Sequence, residues 1–194
     1  MTGILLWMLI QGFLAKANYY SEHLNRLPPT IVILGILPPL LFILGLFLSQ
    51  SGRKFIDQIS LLHLTILHVV RIPVELVLFG LYLHQAVPEL MTFEGRNFDI
   101  LAGLSAPFIT WIVFSNSQPN RKLLLIWNLI GLALLLNIVI HAFLSAPFPL
   151  QQLAFDQPNI AILYFPFVWL PTVIVPLVLF GHLVAIRRCW KGNI

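Results

Sequence analysis

The sequence predicts an all-α protein, a polytopic transmembrane helical bundle of about six spans with proline-kinked helices. Three observations carry this expectation. Of the 194 residues, 59% are hydrophobic and only 9% charged, whereas soluble domains carry about a quarter charged residues. Apolar blocks close to the ~20 residues that cross a bilayer follow one another along the chain. Basic residues cluster between alternate blocks, as membrane topology requires. Such a composition cannot build a water-facing surface, so a single transmembrane domain over residues 1–194 is expected. The formal charge of +4, spread in short clusters, points to the lipid bilayer as partner and gives no indication of nucleic acid.

The first expected span covers residues 2–17 and ends in Lys16, followed by Tyr19 and Tyr20. Lysine snorkels and tyrosine favours the interface, which suits a thin or tilted span. The alternative is a signal peptide cut after Ala15-Lys16-Ala17, disfavoured because the basic leading region is missing. Pro28-Pro29 stops any helix before the second span, residues 30–49, where Pro38-Pro39 predicts a kink. A turn at 50–54 carries Arg53 and Lys54. The third span, 57–84, holds His63, His68, Arg71 and Glu75. A polar loop leads to the fourth span at 98–114, and a turn at 115–122 to the fifth at 123–144. A proline-broken loop precedes the sixth span, 160–186, in which Pro166, Pro171 and Pro176 predict a bent or locally unwound helix. Neighbouring side chains should satisfy the carbonyls those prolines free.

One set of ends holds Arg53, Lys54, Arg121, Lys122, Arg187, Arg188 and Lys191, and the other holds Lys16, Arg26 and Arg96. The positive-inside rule therefore places both termini in the cytoplasm. The outer connections are longer and carry Glu22, Glu89, Glu94, Asp99 and Asp156 among aromatics and prolines. Long connections of this kind often carry function, and a packed lid over the bundle is expected.

Charges at membrane depth are costly and mark functional sites by default. Leu64, His68, Arg71, Glu75, Leu78 and Tyr82 share one face at helical spacing. The expected site binds a small solute or ion. Glu75 is its carboxylate, Arg71 the counter-charge one turn away, and His68 a relay. Glu94, Arg96, Asp99, His141 and Asp156 complete the candidate binding residues around it. The rival reading is a structural ion pair that fixes helix packing. Pro73 between Arg71 and Glu75 weakens that turn.

His63 with His182, and His84 with His141, fall at two depths, as bis-histidine haem ligation would need, although no CxxCH motif is present. Interfacial histidines bonded to backbone are the commoner case. A metal hydrolase would need Glu75, His68, His141 and Asp156 to converge, and no HExxH, GxSxG or P-loop motif supports it. No metal site and no particular cofactor is therefore assigned. Asn128, Asn137, Ser105 and Thr110 read as interhelical hydrogen-bonding groups. Trp111, Trp127 and Trp169 read as lipid-facing or interfacial aromatics, and Cys189 as an incidental thiol without a disulfide partner.

Val74-Glu-Leu-Val-Leu-Phe-Gly80 repeats in Val175-Pro-Leu-Val-Leu-Phe-Gly181, in spans expected to run oppositely, as an inverted repeat of transporter type would have it. The segments Val87-Pro-Glu-Leu-Met-Thr-Phe-Glu-Gly-Arg-Asn-Phe-Asp-Ile100 and Leu144-Ser-Ala-Pro-Phe-Pro-Leu-Gln-Gln, with Asp156-Gln-Pro-Asn, Phe165-Pro-Phe and Arg-Ile-Pro-Val-Glu, carry a resemblance. From about residue 50 onward the chain resembles uncharacterised multi-pass inner-membrane proteins of bacteria, of Bacteroidota type. That resemblance implies an inner-membrane location and transfers no catalytic residue.

The leading expectation is transport or binding of a small solute or ion, with a homo-oligomer as a companion because the chain is small for a transporter. A membrane enzyme or redox carrier using metal, haem or quinone is a second class. An accessory or assembly subunit of a membrane complex is a third.

Overall fold

The computed structural model describes residues 2–115 and 119–192, so the centre of the expected 115–122 turn lies outside the described residues. Among the described residues every regular element is helical and no strand occurs. In order they are α1 (Thr2–Lys16), a π-helical turn (Val32–Ile36) running into α2 (Leu37–Leu48), α3 (Gln50–Gln58) and α4 (Leu61–Leu67). A 3-10 turn (His68–Val70) joins α4 to α5 (Arg71–Leu83). Then come α6 (Asp99–Phe114), α7 (Arg121–Ser145), and a second π-helical turn (Leu170–Ile174) running into α8 (Val175–Lys191).

Fewer helices reach spanning length than the six expected. Leu61–Leu83, Arg121–Ser145 and Leu170–Lys191, of 23, 25 and 22 residues, are long and apolar enough. A fourth is added if Val32–Leu48 and Gln50–Gln58, bent by 94°, count as one broken span. Helices α1 and α6 have only 15 and 16 residues. At 1.5 Å per residue they reach about 22–24 Å, short of a hydrocarbon core of roughly 30 Å.

Side-chain caps explain two shifted boundaries. Ser49 is extended and its Oγ accepts the Gly52 N–H at 3.1 Å, so a new helix starts where a turn was expected at 50–54. Ser60 starts another by accepting the His63 N–H at 3.4 Å, which moves the third span from 57 to Leu61. The sixth span starts at Leu170 rather than 160, because residues 161–168 run through a 3-10 turn and irregular turns around Pro166. Pro73 lies within the Leu61–Leu83 helix, which the 3-10 turn at His68–Val70 breaks just upstream of it. It sits in the first turn of α5.

Helix α1 lies across both π-turns. Gln11 Nε2 donates to the Leu34 carbonyl at 3.0 Å, and the Trp169 indole donates back to the Met8 carbonyl at 2.9 Å. Tyr20, fully buried, donates its hydroxyl to Gln11 Oε1 at 2.6 Å, and burial pushes its phenol up to about 12, so it stays a donor. The two π-turns touch at Gly35, where a Cβ would come within 2.7 Å of Thr172 Cγ2.

The bundle has two unlike ends. At the basic end Arg187 pairs with Asp57 at 3.4 Å and Lys191 reaches the same carboxylate at 3.8 Å. Arg188 donates to the Ile59 carbonyl, and Arg121 to the Trp190 carbonyl at 2.9 Å. At the opposite, loop end the connections before α6 and α8 are knitted together. Ile160 and Ala161 N–H groups donate to the Ala86 carbonyl, and Gln157 Nε2 to those of Tyr82 and Val87. The α5 and α8 copies of the repeated heptapeptide run in opposite directions between these ends. Gly181 lies against His68, whereas a Cβ on Gly80 would meet open space.

Candidate functional site

The polar stripe read from the sequence is buried, as its helical spacing requires. Leu64, His68, Arg71, Glu75 and Leu78 are all buried, and Tyr82 is half-buried. The 3-10 turn delivers His68 and Arg71 into the centre of the bundle, where α6, α7 and α8 meet them.

Arg71 makes its direct ion pair with Asp99, not with Glu75. Its Nη1 pairs with Asp99 Oδ1 at 3.1 Å, from the first turn of α6. Both guanidinium tips also approach the Gly131 carbonyl, at 3.4 and 3.3 Å. Nη2 lies 2.8 Å from His182 Nε2. Arginine only donates, so Nε2 accepts, and the His182 proton sits on Nδ1, 2.9 Å from Asn128 Oδ1. Asn128 in turn donates to the Leu124 carbonyl at 2.9 Å. Arg71 is thus held by three helices through planar, directional bonds that a lysine cannot reproduce.

Gly131 makes this possible by close approach: a Cβ there would stand 2.5 Å from His182 Cε1. The His182 ring stacks on His68, centroids 4.0 Å apart and planes 25° off parallel, with Trp127 edge-on to His68 at 5.3 Å. Neither ring nitrogen of the buried His68 has a hydrogen-bond partner.

Glu75 takes its partner from the loop end. Asn97 donates through Nδ2 to Glu75 Oε1 and, at 3.0 Å, to the Met91 carbonyl, while its Oδ1 accepts the Asp99 N–H at 3.1 Å. The amide of Asn97 therefore fixes both carboxylates, one directly and one through the start of α6. Glu75 Oε2 and Arg71 Nε are buried and have no partner.

Arg71, Glu75, Asn97 and Asp99 form the polar side of a partly open cavity of about 130 Å³. Its walls are apolar: Ile31, Leu135, Ile138, Phe148 and Val178 are among them. The loop-end connections roof it through Met91 and Ile162.

Four of the expected binding residues, His68, Arg71, Glu75 and Asp99, are brought together. Glu94, Arg96 and Asp156 are exposed at the loop end. Arg96 and Asp156 line a separate open cleft of about 540 Å³ with Glu89 and Gln157. His141 bonds the Asn137 carbonyl of its own helix at 2.8 Å, and His84 that of Gly80 at 2.8 Å. His63 is exposed while His182 is fully buried, so the expected pair of these two does not form. Among the described residues no three His, Cys, Asp or Glu side chains gather as metal ligands.

Asn97, Asn128 and His182 were missed as site residues. Asn128 shares an interior stripe with Gly131, Leu135 and Ile138, and a polar residue one turn from a glycine on that stripe was the available signal. Asn137 does act as glue, donating to the Arg96 carbonyl at 2.8 Å. Trp111 is exposed as expected. Trp127 is instead buried and donates to Ser105 Oγ at 2.9 Å.

Residues 27–189 match the family model described as a domain of unknown function, DUF8737. The chain belongs to that family. No curated protein and no solved structure matches it. The matched stretch contains every residue of the buried cluster, from His68 to His182, and leaves α1 outside.

Proposed function

We propose that the protein is a bacterial inner-membrane protein that binds or transports a small solute in the cavity above Arg71 and Glu75. The single observation behind this is a pair of unsatisfied groups. Glu75 Oε2 and Arg71 Nε are buried without partners, and both residues line the same cavity. Buried polar atoms are nearly always bonded, so an acceptor and a donor left open beside a void mark where a ligand's polar group belongs. The buried charges point the same way. Arg71 pairs directly with Asp99, and the one side-chain hydrogen bond Glu75 receives comes from the neutral Asn97.

Six membrane segments with both termini in the cytoplasm belong to this reading. Helices α1 and α6 are short, yet Ile4, Leu5, Leu9 and Phe13, and Leu104, Phe108, Trp111 and Ile112, are all exposed. Contiguous apolar faces of that kind need lipid or a partner to cover them. Arg121, Arg187, Arg188 and Lys191 gather at one end of the bundle, which supports this topology under the positive-inside rule.

The test is native mass spectrometry after gentle extraction, comparing the natural chain with Glu75→Gln. A small molecule retained by the first and lost from a folded Glu75→Gln supports the reading. Equal retention by both, or a bare protein that takes up no solute from a metabolite extract, overturns it.

A further inference from the structure

Resting on that cavity reading, we infer that its ligand comes from the lipid, sideways between α5 and the Leu170–Ile174 turn, as a lipid-soluble molecule with an uncharged hydroxyl head.

The route is visible as a second hollow. A crevice of about 260 Å³ runs along the bundle surface between α5 and the segment leading into α8. Its mouth lies at Pro73 and Val77, both exposed. Val74, Leu78, Ile162, Leu170 and Ile174 line both the crevice and the cavity, so one layer of side chains separates the two. The polar cleft at the loop end shares no lining residue with the cavity. The crevice that shares its wall with the site is thus apolar and lies on the side surface of the helices, where the proposed bilayer would be.

The separating layer is also the least regular part of the helical wall. Leu170 and Ile174 belong to the π-turn that Pro171 helps set up, and π-turns inside helices recur where a helix must adjust. Apolar side chains alone close the passage, so opening it breaks no ion pair.

The route dictates the chemistry. The crevice carries no charged side chain, and a charge crossing an apolar passage at membrane depth is heavily penalised. The ligand is therefore uncharged on arrival. Arg71 and Glu75 line the cavity, and two of their buried atoms have no hydrogen-bond partner: an acceptor, Glu75 Oε2, and a donor, Arg71 Nε. A hydroxyl is the smallest group that donates to the first and accepts from the second. A dry cavity of roughly 150 Å³ takes up benzene, so about 130 Å³ suits a ring-sized head, with any tail lying in the crevice.

The experiment uses the full chain in lipid nanodiscs, with 4-propylphenol and propylbenzene as probes and Val77→Trp as variant. Val77 lines the crevice but not the cavity and is exposed, so a bulky residue there narrows the mouth without disturbing the fold. Calorimetry should show saturable binding of the phenol and at least about tenfold weaker binding of the hydrocarbon, the worth of one hydrogen bond. Stopped-flow tryptophan fluorescence should show association and dissociation both slowed about tenfold in Val77→Trp, with affinity kept. Unchanged rates with the phenol still bound overturn the lateral route and leave the cavity reading standing. Equal binding of phenol and hydrocarbon overturns the hydroxyl head. If neither probe binds, the inference falls, and a co-purifying mass lost in Glu75→Gln would still show that the cavity holds another class of ligand.

Discussion

The indole N–H of Trp7 donates to the carbonyl of Thr172 at 2.9 Å, and this is the bond that Pro176, four residues on, has no N–H to make. The same relation holds on the other side of α1. Pro38 leaves the Leu34 carbonyl free, and Gln11 Nε2 takes it at 3.0 Å. An unsatisfied carbonyl in lipid costs several kcal/mol, so proline is tolerated in such helices only where a neighbour supplies the donor. Helix α1 is that neighbour twice over.

Trp7→Phe and Gln11→Leu should therefore each lower thermal stability by about 1–3 kcal/mol, measured by unfolding in detergent. The decisive variant is Pro176→Ala in the Trp7→Phe background. It restores a backbone donor to Thr172 and should recover most of the loss. No recovery would show that Trp7 matters only for packing.

Removing the guanidinium should be costly. Arg71→Leu strands Asp99 and His182 Nε2, and losing one partner of a buried pair typically costs about 3–5 kcal/mol. Arg71→Leu with Asp99→Leu should be more stable than Arg71→Leu alone, read from unfolding midpoints. A double variant less stable than either single one would contradict the pairing.

Gly131→Ala and Gly80→Ala form a matched pair. The first puts a methyl 2.5 Å from His182 Cε1, whereas nothing lies within 4 Å of the second. Overpacking of this kind costs about 1–3 kcal/mol, while alanine at the open helical position should be neutral or slightly stabilising. Thermal melts of the two variants check the contrast.

Asn97→Ala should loosen the roof before the bundle. It removes the amide that joins Glu75, Met91 and the start of α6. Hydrogen exchange should rise in residues 84–98 while α7 and α8 stay protected. Uniform exchange across the chain would mean that Asn97 supports the whole fold.

Orientation is checked by cysteine labelling. With Cys189 replaced by alanine, a cysteine at Glu94 should react with an impermeant maleimide in intact cells. One at Lys54 should react only after the membrane is opened. The reverse pattern would invert the proposed topology.

The sequence made the interior face of the third span legible because a 3.6-residue period and rare charges are local signals. It did not show where those charges go. Arg71 looked like the partner of Glu75 at one-turn spacing, but Asp99 and Asn97 arrive from a distant loop and only the fold brings them in. His182 was paired by depth with His63 because the sixth span was read as 160–186, whereas α8 runs on to Lys191. Starting the span at Leu170 moves the same histidine to mid-depth. The flat helix α3 was invisible for a different reason: its start rests on one serine side chain, Ser49, turning a polar stretch into a capped helix.

The ties at the basic end carry a mechanical consequence. Asp57 clamps Arg187 and Lys191, Arg188 holds Ile59, and Arg121 holds Trp190, so α3, α7 and α8 share one base. Both π-turns and the crevice lie on the far side of the histidine stack. A vessel with a fixed base and a pliable rim can fill and empty from its rim without disturbing the base. Rocking to expose the opposite face would mean tearing the base apart. Movement is therefore easiest around the two π-turns, with the base held still.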